Sequence, residues 1–102
     1  MVESLQSKHD GIAAACARHS VLRLEAFGSV LREDFVAGQS DVDLLVEFEP
    51  LESYALVDAY FELLDELRDL FSADVHLVMV DAVKNPYIAR AIDREKQLLY
   101  AA

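Results

Sequence analysis

The apolar residues of this chain fall into two rhythms, and the points where one gives way to the other mark out its elements. Over residues 5–18, Leu5, Ile12, Ala13 and Cys16 return near helical spacing, and His19-Ser20 closes the segment, with His9 and His19 on its polar side. Residues 21–27 and 44–48 instead alternate apolar and polar positions, the habit of strands with one buried face. Pro50 ends the second of these. Ser53 then predicts the cap of a helix over 54–71, in which Leu56, Val57, Tyr60, Leu63, Leu64, Leu67 and Leu70 form an apolar stripe while Asp58, Glu62, Asp65, Glu66 and Asp69 face elsewhere. Tyr54, Tyr60 and Phe61 could line an adenine pocket, but aromatics at helical spacing read first as core. Residues 74–80, DVHLVMV, make a third strand. Asn85-Pro86 is a cap and first-turn pair for a helix through about 94, with Ile88, Ala91 and Ile92 inward, and residues 97–100 form either a short edge strand or a frayed end.

Between the first two strands lies the stretch that carries chemistry, residues 26–48, AFGSVLREDFVAGQSDVDLLVEF. Asp41 and Asp43 are two apart on a strand, so both point to one face, about 6.5 Å apart along the backbone. Like charges so placed repel unless a cation or a proton sits between them. A divalent metal answers that need, and Mg²⁺ is commonly held by one or two carboxylates plus substrate phosphates. The Gly28-Ser29 turn supplies the phosphate side: Gly28 lets the backbone approach an anion, and Ser29 can donate its hydroxyl and cap a short helix over 30–35 whose first N–H groups point back at the turn. Arg32, one turn in, could reach a terminal phosphate bidentately or pair with Glu33 or Asp34.

Composition narrows the partners. At 102 residues, 54% of them hydrophobic, the chain has material for a single domain over 1–102 with one core. The formal charge of -10 argues against direct nucleic-acid binding, which relies on arginine and lysine releasing counterions. No apolar run reaches a membrane span, and the first residues carry no signal-peptide pattern, so the expected location is the cytoplasm with no membrane partner. Cys16, among alanines, reads as a buried thiol.

The Gly-Ser turn, the eleven-residue spacer between Ser29 and Asp41, and the Asp-x-Asp pair resemble the minimal nucleotidyltransferases of the DNA polymerase β superfamily. The resemblance runs on through FGSVLREDF, SDVDLLVEFEP, VHLV and KNPY, so it covers most of the chain. It implies an α/β (α+β) nucleotidyltransferase core: a small mixed β-sheet of three or four strands, with helices packed on one face and the acids on the other. It implies ATP as substrate, Mg²⁺ with Mn²⁺ as the alternative, Gly28 and Ser29 on the β and γ phosphates, and Asp41 and Asp43 as metal ligands. The family's third carboxylate falls at His76 in this chain, with Asp74 two residues earlier on the same face. His76 is therefore the candidate base, and Asp74 a candidate ligand displaced by one pleat.

Stand-alone members of this kind are typically antitoxins that transfer AMP from ATP to a tyrosine of a partner HEPN ribonuclease toxin. The resemblance implies that activity and that partner here. Two other readings stay open: an antitoxin of the same fold that works by binding alone, favoured by His76, and a small-molecule nucleotidyltransferase of the aminoglycoside-modifying type. Lys84 and Tyr87 match a segment common in the family, and spacing alone gives neither a chemical duty.

Overall fold

The computed structural model describes residues 8–28 and 41–102. The chain runs α1 (His9–Arg18), β1 (Val21–Phe27), β2 (Val42–Phe48), α2 (Ser53–Phe71), β3 (Val75–Met79), a 3₁₀ turn (Val80–Ala82), α3 (Pro86–Glu95) and β4 (Gln97–Ala101). The strands form one mixed sheet in the order β3-β2-β1-β4, antiparallel except for the β2–β3 pair. That parallel pair is joined through α2, because parallel neighbours need a crossover and a helix is the usual one.

One face of the sheet carries the core. Leu24 and Ala26 of β1, Val42, Leu44 and Val46 of β2, and Val75 and Leu77 of β3 pack on Ile12, Ala15 and Cys16 of α1 and on Leu63, Leu64, Leu67 and Phe71 of α2. These positions follow the two periods of the sequence. The strand residues are two apart, and those of α2 recur at three and four. Burial desolvates the Cys16 thiol and pushes its pKa up to about 12, which makes it a packing group rather than a nucleophile.

Several details depart from the pattern reading. Ser53 is the first residue of α2, and Glu52 precedes it without a side-chain cap bond. Tyr54, Val57 and Phe61 are exposed, while Tyr60 turns inward and donates its hydroxyl to the Leu77 carbonyl. His19 is not a surface residue. Its side chain keeps only 11% exposure, with Nε2 3.1 Å from Glu66 and Nδ1 3.5 Å from Glu62. Asn85 does cap α3, its Oδ1 accepting from the N–H groups of Tyr87 and Ile88. In α3, Ile92 is the buried residue, and Ile88 and Ala91 are exposed. Residues 97–101 form a true strand on the open side of β1. The predicted helix over 30–35 and the start of the first helix lie outside the described residues.

Candidate active site

The site is assembled by strand direction. β1 is antiparallel to β2, and β3 is parallel to it, so the end of β1 and the beginnings of β2 and β3 meet at one end of the sheet. Asp43 stands opposite Phe27 on one side and opposite His76 on the other. Their neighbours Val42, Leu44, Val75 and Leu77 point into the core, so Asp43 and His76 share the opposite face. Asp41, just before β2, is joined to them by a contact of 3.1 Å from its Oδ2 to His76 Nε2. Both of these side chains are more than half exposed, open to a substrate from solvent.

Gly28 is held against this cluster. Its φ of 72° lies in the left-handed region, and a Cβ there would meet Asp43 Oδ2 at 2.5 Å. A side chain is thus excluded twice, by backbone conformation and by the carboxylate. Of the residues expected in a site, Gly28, Asp41, Asp43 and His76 come together. Asp74 is exposed at the approach to β3, where its carbonyl accepts the Val42 N–H at 2.9 Å, and it lines a separate surface hollow with Tyr60, Arg68 and the other side of His76. Ser29 and Arg32 lie outside the described residues.

This donor set suits a magnesium ion of the kind that shares its ligands with substrate. Asp41 and Asp43 give hard carboxylate oxygens on one face, and the missing Cβ of Gly28 keeps the space beside Asp43 Oδ2 clear. Among the described residues there is no group of three or more His, Cys, Asp and Glu side chains able to cage a metal. Further oxygens would come from phosphates and water, which is the usual arrangement for Mg²⁺.

Sequence reasoning missed what lies beside the acids. A cavity of about 480 Å³ has Asp43 and His76 on its wall, Phe27 and Val78 on its floor, and Ile88 and Ile92 of α3 opposite. Lys84 and Asn85 also line it. The KNPY segment was its one trace in the sequence, without an assignable duty.

Residues 10–99 match the family model of the nucleotidyltransferase domain. The chain belongs to the nucleotidyltransferase domain family. It is 36% identical over 99 residues to a chain of Methanocaldococcus jannaschii named "putative protein adenylyltransferase", covering 97% of this chain and 93% of that one. A second chain of that organism with the same name is 30% identical, with the same coverage. A solved structure described as a minimal nucleotidyltransferase superposes with a TM-score of 0.73 at 29% identity, over 93% of this chain and 92% of that one. The fold is also that of the nucleotidyltransferase in a Shewanella oneidensis complex of a tri-AMPylated HEPN toxin with its MNT antitoxin (TM-score 0.63, 18% identity, 96% of this chain and 73% of that one). This minimal nucleotidyltransferase thus has the mixed sheet that the resemblance implied.

Proposed function

We propose that this nucleotidyltransferase moves AMP from ATP to a tyrosine hydroxyl of a HEPN ribonuclease toxin, and that the modification neutralises the toxin. The observation that carries the reading is the meeting of Gly28, Asp41, Asp43 and His76 at one end of the sheet. Likeness along nearly the whole of relatives named for protein adenylylation supports a protein acceptor, and the fold shared with an MNT antitoxin supports the toxin as that protein.

Asp41 and Asp43 are the residues that would hold Mg²⁺, with Asp74 as a further candidate ligand. When bound, the ion supplies charge neutralisation for the triphosphate. Gly28 admits the phosphates against the backbone, with Ser29 and Arg32 as the donors the sequence offers beside it. The acceptor oxygen attacks the α-phosphorus, the bond from that phosphorus to the bridging oxygen breaks, and pyrophosphate leaves with the electron pair. In this reading His76, with its Nε2 on Asp41, takes the hydroxyl proton at Nδ1, and the carboxylate then faces the imidazolium that forms. Catalysis is otherwise alignment and charge neutralisation in a site fixed by three strands.

The same His76–Asp41 contact favours the second reading, a site in which the imidazole occupies Asp41 and the protein neutralises by binding alone. One experiment separates them. The protein is incubated with ATP labelled in the α-phosphate, Mg²⁺ or Mn²⁺ and its cognate toxin, and label on the toxin is followed beside toxin activity. Transfer that disappears in Asp41→Asn with Asp43→Asn, together with neutralisation, supports adenylylation. A stable complex with no transfer under either metal, and neutralisation untouched by the double change, supports binding alone. His76→Asp tests the base: transfer and metal preference both unaltered would remove His76 from the mechanism.

A further inference from the structure

The transfer chemistry leaves two features unused: Glu25, a carboxylate on β1 with 4% exposure, and a second cavity of about 370 Å³ that it lines. Glu25 stands opposite Leu45 in the β1–β2 register, one two-residue step of about 6.6 Å beyond the Phe27–Asp43 pair. The cavity at Asp43 and the cavity at Glu25 share Val83 and Ile92 as walls. The two cavities therefore adjoin at these residues, one beside the acids and the other a step further along the β1–β2 pair. The cavity beside the acids is lined by Phe27, Val78, Ile88 and Ile92. The further one is charged: Glu25 lies 3.4 Å from Lys96 Nζ and 3.5 Å from Arg23 Nε, and Lys96 also holds Asp93 at 3.0 Å. A carboxylate this buried is costly unless it is paired, and these two cations approach it at ion-pair distance.

We propose that the two cavities together form one groove, the nucleoside subsite, with an adenine base between the sheet and α3 and its amino-bearing edge read by Glu25 and Lys96. The inference rests on the nucleotide-transfer reading, because it places the α-phosphate at Asp41 and Asp43. From there the base is tethered, and the groove offers one to two strand steps, the reach of a nucleoside. Apolar walls on both sides suit the two faces of a flat ring, with few polar groups at fixed points, as in small-molecule sites generally. A carboxylate beside an ammonium complements an edge that presents a donor next to an acceptor, which adenine does with its amino group and N1. Hypoxanthine carries a carbonyl where adenine carries the amino group and would set oxygen against the Glu25 carboxylate.

Equilibrium binding of ATP, ITP and inorganic tripolyphosphate to the whole chain in Mg²⁺ tests this without turnover. ATP should bind at least about tenfold more tightly than ITP, since a buried hydrogen-bonding group discriminates against the analogue that leaves it unmatched. Glu25→Gln should bring the two within about twofold, because an amide can face either edge as donor or acceptor. Val83→Trp, at the junction of the two cavities, should weaken ATP by about tenfold or more and leave tripolyphosphate unchanged, which decides the matter if Glu25→Gln does not melt cooperatively. Tripolyphosphate held as tightly as ATP by the wild type, or an ATP-to-ITP ratio unmoved in Glu25→Gln, overturns the subsite while the transfer reading stands. A wild type that binds neither triphosphate nor tripolyphosphate overturns the transfer reading and the subsite with it.

Discussion

Gly28 shows how much one position can carry. Its backbone at φ 72° would cost an L-residue about 1–2 kcal/mol, and its missing side chain is the clearance for Asp43. Gly28→Ala is therefore predicted to hurt twice: a lower melting temperature, and a fall in nucleotidyl transfer much larger than that loss of stability explains, because relief of the clash moves the Asp43 carboxylate. A thermal melt beside a transfer assay checks it, and transfer that falls only in step with stability would count against the placement. Asp41, Asp43 and Gly28 were legible from sequence because an Asp-x-Asp pair on a strand and a glycine at a turn each have a local physical reason. His76 was legible as a departure from the family, but its contact with Asp41, 35 residues away, depends on strand register. Glu25 was not legible, because an acid in an alternating strand reads as solvent-facing until something is known to cover that face.

Among the elements, α1 and α2 are tied at their flanks as well as through the core. Arg18 Nη2 lies 2.7 Å from Glu66 Oε2, and His19 at the end of α1 reaches Glu62 and Glu66. The hydrogen bond from Arg18 is the chief cause holding the Glu66 carboxyl below its usual range, against a smaller opposing push from burial. A carboxyl lowered on folding adds stability that is present above its unfolded pKa of about 4.3 and is lost as pH falls through the lower folded value. Glu66→Gln should accordingly lower the melting temperature at neutral pH, with the gap from wild type closing in acid below that range. Melts across a pH series would show it, and a constant gap would assign the effect to packing instead. In the core, Leu67 has no exposure, and Leu67→Ala should cost about 2–5 kcal/mol in a denaturant titration. The strands and α2 could be read from their periods. The inward face of α3 could not, because Ile88, Ala91 and Ile92 allow more than one helical stripe and only the sheet beneath decides that Ile92 is the one buried.

At the scale of the molecule, the charge of -10 and the exposed side of α2 belong together. Tyr54, Val57 and Phe61, three and four residues apart, stand out among Asp58, Glu62 and Asp65 on the exposed side of that helix. A protein that meets this one meets an acidic surface, so association with a basic partner should slow by about tenfold or more as salt is raised, with much less change in dissociation. Surface-immobilised kinetics over a salt series would measure it, and a salt-independent on-rate would remove electrostatic steering from the account. The layout of the sheet was beyond sequence pattern for a general reason: period tells which residues face inward, and only the long-range pairing of β4 with β1 and β3 with β2 tells which strands become edges. β3 is one of those edges. Val42 bonds to Asp74 on its inner side, so by alternation the backbone groups of Leu77 face outward, and the Leu77 carbonyl is the one that the Tyr60 hydroxyl occupies. A five-residue edge with its central acceptor already taken is a poor template for strand addition. Tyr60 therefore serves colloidal safety as well as packing: it helps keep a sheet that must expose its catalytic end from recruiting other chains along its flank.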